Sequence, residues 1–253
     1  MYTAIIKNKC IRNIGSRIQR FVGTDLRYIT KNGFLLLVGQ VAVSLAMLAL
    51  TWVMANFVDK ELVGEYRFIL SAQAVLSIIA LAGMSTALSK SVAEGYDSSI
   101  VVGFNKKMQY GMYASVCSVL IGIFYGFGKG DTSLFWGFVA LAIAIPLYES
   151  GGVVFSYFQG KKDFYRMSLI STLIRVVAVV ATVVGCLLGA SLFMLVLANF
   201  LVSGILQLAV YLSVKKKITV SDQNQDKDFI PLTIHFTIMG VLFAIMGQMD
   251  RFI

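Results

Sequence analysis

The sequence predicts an all-α protein, a bundle of transmembrane helices that crosses the bilayer about seven times. Of its 253 residues, 58% are hydrophobic and only 14% are charged, whereas charged residues make up about a quarter of a soluble domain. The mean hydropathy is +0.79. Such a chain cannot cover itself with polar surface in water, so lipid must be the solvent for most of it.

Apolar runs of about 20 residues, the length that crosses a bilayer core, recur along the chain. They cover residues 34–55, 68–88, 108–127, 134–158, 167–189, 192–214 and 229–249. The first run is too long for a removed signal peptide, and no small-residue cleavage pattern flanks it. The runs divide the chain into a basic segment at 1–33, six spans within 34–214, a loop at 215–228 and a seventh span within 229–253.

The distribution of Lys and Arg predicts the orientation in the membrane. Seventeen of them, Lys106 and Lys107 included, fall in the N-terminal stretch and the second, fourth and sixth connections, and three fall in the other connections. Because positive loops stay in the cytoplasm, the N-terminus is predicted to be cytoplasmic. A bacterial inner membrane is the expected location. The net charge of +9 is therefore a topology signal, and no nucleic-acid partner is expected.

The basic segment at 1–33 has its own pattern. Ile11, Ile14 and Ile18 repeat at helical spacing, with Arg12 and Arg17 between them. This predicts a cytoplasmic amphipathic helix that lies on the anionic membrane surface. A disordered basic tail that serves only topology is the alternative.

Polar residues follow helical spacing within several spans, which is not expected of helices that serve only as anchors. The stripes are Gln40, Ser44 and Thr51 in the first span, Ser168, Ser171, Thr172, Arg175, Thr182 and Cys186 in the fifth, Asn199, Ser203, Gln207 and Tyr211 in the sixth, and Thr233 and Thr237 in the seventh. Residues three or four apart share one helix face. Such faces either bond helices to one another or line a wet cavity.

Arg175 and Glu149 are the two charges predicted to lie deepest. Each lies eight to ten residues from a span end, about 12 Å into the membrane at 1.5 Å per residue. An ionised side chain at that depth costs at least about 2.5–3.5 kcal/mol unless it meets a partner or water. Two readings follow: a dry Arg175–Glu149 ion pair, or a charged group that faces an aqueous cavity.

The fourth span carries a predicted break. Pro146 lacks a backbone donor, and the adjacent Gly151 and Gly152 soften the helix a few residues later. Broken helices at membrane depth occur where protein or a wet cavity satisfies the freed groups. A simple proline kink is the alternative.

Residues typical of catalysis or metal binding do not cluster in the sequence. Cys10, Cys117 and Cys186 are widely separated, and His235 is the sole histidine. Gly128-Lys129 lacks the flanking residues of a phosphate-binding loop, and no hydrolase or metalloprotease motif occurs. The sequence therefore favours transport over an enzyme activity, with no cofactor and no metal expected.

Three stretches of the sequence carry motifs that are more specific than the overall composition. The first reads Val63-Gly64-Glu65-Tyr66-Arg67-Phe68, through Ser71, to Gly83-Met84-Ser85-Thr86-Ala87-Leu88 and Ala93-Glu94-Gly95. The second reads Phe158-Gln159-Gly160-Lys161-Lys162-Asp163-Phe164 and is followed by Arg175, and the third is Gln248-Met249-Asp250-Arg251-Phe252. In order and spacing they resemble the polysaccharide-flippase branch of the multidrug/oligosaccharidyl-lipid/polysaccharide exporter superfamily, over nearly the whole chain.

The resemblance implies that this chain flips an undecaprenyl diphosphate-linked oligosaccharide, a unit of O-antigen, capsule or exopolysaccharide, to the outer leaflet by alternating access. It implies a six-helix N-terminal lobe over 34–214 and, from 229, the first helix of a second lobe in a longer parent protein. Membrane lipid, a glycan polymerase and export machinery are the expected partners. The residues expected to bind substrate are Arg175, Glu149, Asn199, Gln207, Ser171, Gln40 and Asp250.

Competing functions remain at this point. A drug or ion-coupled exporter of the same superfamily would use acidic intramembrane residues for cationic cargo, as Glu149 and Asp250 allow and Arg175 opposes. A membrane glycan polymerase would need a large outer loop, and the outer loops here are short. A structural membrane subunit would have little use for charges near the midplane.

Overall fold

The computed structural model describes residues 26–218 and 229–249, and the side chains of 36–218 and 229–240. The predictions for residues 1–25, for most of the 215–228 loop and for Asp250 lie outside this part of the chain. Within it, every regular element is a helix. The prediction of an all-α membrane bundle is confirmed.

Ten α-helices follow one another in the described residues. They are α1 Leu26–Phe57, α2 Lys60–Ile79, α3 Met84–Ala93, α4 Ser99–Ile123, α5 Thr132–Gly151, α6 Val153–Gly160, α7 Phe164–Leu187, α8 Leu192–Val196, α9 Val202–Lys215 and α10 Phe229–Met249. Two wider π-helical turns, Phe124–Gly128 and Leu197–Leu201, extend α4 and join α8 to α9.

Six helical stretches of the described chain are long and apolar enough to cross a membrane. They are Leu36–Phe57, Lys60–Ile79, Ser99–Gly128, Thr132–Gly160, Phe164–Leu187 and Leu192–Lys215. The seventh apolar run forms α10, whose described side chains end at Gly240. Helices α2 and α4 begin eight and nine residues before the predicted second and third spans, because their polar first turns remain helical.

Short connections alternate between the two ends of the bundle. The α3–α4 and α6–α7 connections meet at one end, where Lys161 Nζ lies 2.6 Å from Asp97 Oδ2. At the other end, Ser133 donates a 2.6 Å hydrogen bond to Glu65, which joins the start of α5 to α2. The first end also carries Lys90 and Arg166, so we call it the basic side and the other the opposite side.

The second and fourth spans are both broken. The second is interrupted at 80–83, between α2 and α3, and the fourth at Gly152, between α5 and α6. The helix continues through Pro146, so the break lies at the glycines and not at the proline. The interruption of the second span was not predicted.

The helix can pass through Pro146 because a neighbouring helix satisfies the carbonyl that the proline leaves free. Proline has no N–H to donate to Ala142, four residues earlier. The Ser115 hydroxyl on α4 donates to the Ala142 carbonyl oxygen over 2.6 Å instead. Gly111, one turn before Ser115, lets the helices approach, since a Cβ there would lie 2.9 Å from Pro146 Cα.

We expect Ser115→Ala to destabilise the protein by about 1 kcal/mol, the usual scale for a hydrogen bond between membrane helices. Reversible unfolding in mixed micelles measures this. In the background Pro146→Ala, residue 146 regains its N–H and can bond Ala142 itself, so Ser115→Ala should then have little effect. An equal loss in both backgrounds would show that the hydroxyl does not serve the proline.

Apolar side chains of the described residues form two separate clusters. The larger lies toward the opposite side and is centred on Ile69, Phe138 and Leu195. The smaller lies toward the basic side and is centred on Met84 and its neighbours on α3, α4, α6 and α9, together with Phe229. No residue belongs to both clusters. The layer between them is where the polar residues gather.

Candidate functional site

A cavity of about 440 Å³ lies between the two apolar clusters, at the level of the helix breaks. Its wall is built by α1 to α7, by α9 and by the π-helical turn before α9. Its polar and charged lining residues are Gln73, Ser77, Ser85, Lys107, Tyr148, Glu149, Ser171, Arg175, Asn199, Ser203 and Gln207. Five of the seven residues predicted to bind substrate are among them.

Arg175 forms the cationic wall of the cavity. It lies on α7 one turn after Ser171, and its side chain is exposed. Among the described residues, none forms an ion pair or hydrogen bond with the guanidinium. The hypothesis of a dry Arg175–Glu149 ion pair is therefore wrong. An exposed, unpaired guanidinium in a cavity can offer its donors to an anion.

Glu149 is paired with Lys107 instead. Its Oε2 lies 3.2 Å from Lys107 Nζ, and its Oε1 accepts a 3.2 Å hydrogen bond from the Gln73 amide. The two charged residues are 8% and 5% exposed. A buried pair of this kind is neutral overall, so Arg175 supplies the net charge of the cavity.

The position of Lys107 corrects the sequence analysis. The Lys106-Lys107 pair was counted with the second connection, but α4 begins at Ser99 and carries Lys107 more than two turns into the membrane helix. There Lys107 is a buried partner of Glu149 rather than a loop charge. The helix starts early because Ser99 and Ile100 are buried against the smaller apolar cluster.

Gln207 lies against the break in the fourth span. A Cβ on Gly151 would lie 2.6 Å from Gln207 Cβ and 3.0 Å from its Oε1. The side chain is 6% exposed, and its Oε1 has no hydrogen-bond partner within the described residues. A buried amide oxygen without a partner is costly unless water or a ligand supplies a donor. Gln207 is therefore the second cavity residue with unused hydrogen-bonding capacity.

We expect Gly151→Ala to destabilise the protein by about 1–3 kcal/mol, because the added methyl overlaps the Gln207 stem. The matched control is the neighbouring Gly152→Ala, whose Cβ would make its nearest contact at an ordinary 3.4 Å. Unfolding in mixed micelles compares the two variants. Equal stabilities would mean that Gln207 can move away freely, and the close packing would then have no consequence.

Asn199 and Ser203 line the cavity from the sixth span. Asn199 lies in the π-helical turn Leu197–Leu201 and donates a 2.7 Å hydrogen bond to the Tyr66 hydroxyl on α2. Ser203 donates to the Asn199 carbonyl oxygen over 2.7 Å. The wider turn points Asn199 toward α2, so this residue both joins two helices and faces the cavity.

The remaining predicted residues lie elsewhere. Gln40 is exposed on α1 and does not line the cavity, and Asp250 lies outside the described residues. In the fifth span, the predicted stripe divides. Thr172 packs against α1, where a Cβ on Gly39 would lie 3.9 Å from Thr172 Cβ, whereas Ser171 faces the cavity.

Sequence reasoning missed Gln73, Ser77, Ser85 and Tyr148 as cavity residues. Gln73 and Ser77 are four residues apart on α2, and Ser85 follows the break. The helical spacing of Gln73 and Ser77 was a usable signal. The same spacing could not predict Ser85, because the helix is interrupted between Ser77 and Ser85 and the helical register changes there.

The fold and the cavity define a multi-pass membrane protein with a polar, charged interior. Comparison with known families identifies residues 29–253 as matching the family described as polysaccharide biosynthesis protein. The match covers most of the chain, so the chain belongs to this family. No curated protein sequence and no solved structure matched the chain significantly.

Proposed function

We propose that this protein flips an undecaprenyl diphosphate-linked oligosaccharide across the membrane. The observation that carries the proposal is the unpaired, exposed Arg175 guanidinium in a cavity whose other charges are already paired. A diphosphate is the part of such a cargo that a lipid bilayer excludes most strongly. A planar guanidinium can donate two parallel hydrogen bonds to one phosphate group, which favours Arg over Lys for this role.

The rest of the cavity suits the remainder of the cargo. Hydroxyls and amides on Ser171, Ser203, Asn199 and Gln207 can replace water around sugar hydroxyls. The lipid tail can stay in the bilayer against the apolar outer surface, where side chains such as Leu45 and Leu48 of α1 are exposed. Polar groups inside and apolar groups outside match a lipid-linked glycan, whose two ends need different solvents.

The proposal includes an orientation and a setting. The basic side faces the cytoplasm of a bacterium, because loops rich in Lys and Arg are retained there. The lipid-linked glycan then enters from the inner leaflet and leaves toward the opposite side. Residues 34–214 form one lobe of the transporter, and α10 is the first helix of a second lobe. A glycan polymerase and export machinery then receive the cargo.

The pairing of Glu149 with Lys107 also distinguishes the proposed flippase from the main alternative, an exporter of cationic drugs. An exporter of cationic drugs needs a free carboxylate in its cavity. Glu149 is the sole carboxylate among the described lining residues, and it is bonded to Lys107 and Gln73. The unpaired charge is therefore positive, which favours anionic cargo.

Purified full-length protein in proteoliposomes tests the proposal. Undecaprenyl diphosphate-linked oligosaccharide is placed in both leaflets, and a membrane-impermeant glycosidase then digests the accessible glycan. Flipping predicts digestion of nearly all the glycan with the protein and about half without it. Digestion that stops at half in both samples contradicts the proposal, and protein-dependent uptake of a cationic dye would favour the rival exporter.

A further inference from the structure

The two broken spans are interrupted at the same level, the edge of the cavity that faces the basic side. In the second span, Ala82 lies in the break and Ser85 just after it. In the fourth span, Gly152 is the break and Phe155 lies three residues after it, and all four residues line the cavity. Beyond the breaks, α3 and α6 continue to the basic side. These two short helices therefore form part of the cavity floor.

The contact between α3 and α6 is very close. A Cβ on Gly160 would lie 2.7 Å from the Ser89 carbonyl oxygen and 2.8 Å from Val92 Cβ. The Ser89 hydroxyl lies within 3.1 Å of the Ser156 carbonyl oxygen and 3.2 Å of Gln159 Oε1. Close backbone approach and polar bonds join the two helices into one unit.

The α3 and α4 helices approach less closely at Gly103, and the bond between their side chains lies near their shared connection, where the Ser91 and Ser99 hydroxyls are 2.7 Å apart. A Cβ on Gly103 of α4 would meet Leu88 of α3 at an ordinary 3.6 Å. The long helices α4 and α9 are instead stacked on each other through Phe104 and Tyr211, whose ring centroids lie 4.0 Å apart. The long helices thus form a frame, and the α3–α6 unit rests on it.

The break in the second span is strained. Leu81 has a φ of 59°, in the left-handed region that a non-glycine residue rarely adopts. Such strain persists where the surrounding structure imposes it, and it gathers at hinges and switch regions. A segment that already leaves helical geometry can change its dihedral angles without breaking a continuous helix.

A further helix is attached to this break. The Gly83 N–H donates to the Thr237 hydroxyl over 3.2 Å, and a Cβ on Gly83 would lie 2.5 Å from the Phe236 carbonyl carbon. The backbone of α10 therefore touches the backbone of the hinge itself. A displacement of α10 acts directly on the start of α3.

We propose that α3 and α6 pivot as one body about residues 80–83 and Gly152, that this motion opens the cavity toward the basic side, and that α10 drives it. The motion takes place inside the six-helix lobe, and it differs from a rigid rotation of that lobe. Its purpose, to admit cargo, rests on the proposed function, whereas the motion itself does not.

A disulfide between α3 and the frame tests the coupling. The hydroxyls of Ser91 on α3 and Ser99 on α4 lie 2.7 Å apart, so Ser91→Cys/Ser99→Cys can form a disulfide with little movement. The three native cysteines are first replaced, Cys10 by Ser and Cys117 and Cys186 by Ala. Amide hydrogen exchange is then measured on the full-length protein in lipid nanodiscs, oxidised and reduced, without cargo.

Oxidation should slow exchange several-fold at both breaks, including residues 151–155, which the disulfide does not touch, and reduction should reverse the effect. The control is Gly39→Cys/Thr172→Cys, which joins α1 to α7 within the frame at a Cβ–Cβ distance of 3.9 Å and should leave 151–155 unchanged. Slower exchange at 80–83 alone would show that α6 does not follow α3. No change at either break would show that the hinge does not move.

The role of α10 needs a second variant. Gly83→Ala pushes the Thr237 backbone away and should speed exchange at 80–83 and 151–155 together, whereas the nearby Gly103→Ala, with its nearest contact at 3.6 Å, should not. Equal hydrogen-exchange rates in Gly83→Ala and Gly103→Ala would show that α10 does not drive the motion. Hydrogen exchange is measured without cargo, so it tests the motion separately from the proposed function. If oxidation slowed exchange at both breaks in a protein that does not flip glycan, the hinge motion would stand and the proposed function would be wrong.

Discussion

Arg175→Ala is expected to abolish surface glycan in cells while the protein stays folded in the membrane. The guanidinium makes no ion pair or hydrogen bond with the described residues, so its removal leaves no buried partner unsatisfied. Each charge-assisted hydrogen bond lost to a phosphate is worth about 1.5–3 kcal/mol, or roughly a tenfold to hundredfold loss of affinity. Arg175→Lys keeps the charge but loses the planar fork, and it should retain part of the activity.

The matched control for this variant is Arg166→Ala. Arg166 lies on the same helix, nine residues earlier, and is paired with Asp163 on the exposed surface rather than in the cavity. Surface glycan and membrane abundance are measured for both variants. Normal glycan in Arg175→Ala, or equal losses in the two variants, would remove the cargo-binding role.

Sequence patterns predicted the part of the site that lies along single helices. The cavity contains Arg175 with Ser171, one turn apart on α7, and Gln207 with Ser203 and Asn199, at four-residue steps in the sixth span. Residues that share one helix face can be identified from their spacing alone, without knowing which helices pack against that face. The cost of a buried charge likewise identified Arg175 and Glu149 as residues that need water or a partner.

Contacts between helices could not be predicted in the same way. The proposed partner of Glu149 was Arg175 on the next span, but α4 and α5 pack together closely enough to bring Lys107 to Glu149 instead. Gln40 shares a helix with cavity-lining Met47, yet the close packing of Gly39 on α7 turns Gln40 away. Both outcomes depend on which helix faces meet, and local spacing does not contain that information.

The break in the second span has a similar cause. Residues 80–83 include one glycine and no proline, and the run around them is apolar, so nothing in the local pattern ends a helix. The helix ends there because Gly83 packs on the backbone of α10, more than 150 residues later in the chain. Tertiary packing overrides helix propensity at this point.

Lys107→Met and Glu149→Met are each expected to destabilise the protein by about 3–5 kcal/mol, the second largest effect that we expect. Each single change leaves one charge buried without its ionic partner, since the two residues are only 5% and 8% exposed. The double variant Lys107→Met/Glu149→Met removes both charges and keeps similar volumes, so it should regain most of the lost stability. Reversible unfolding in mixed micelles gives the four free energies of this cycle.

A second cycle, with Arg175→Met in place of Lys107→Met, is the internal control, because Arg175 and Glu149 are separate charges in this structure. Arg175→Met should not rescue Glu149→Met, and the coupling free energy between them should be small beside that of Lys107 and Glu149. Strong coupling of Arg175 to Glu149 would restore the dry ion pair and withdraw Arg175 from the cargo. Strong coupling of Lys107 to Glu149 alone would leave the Arg175 guanidinium as the free cation of the cavity, which is the condition for its binding a phosphate.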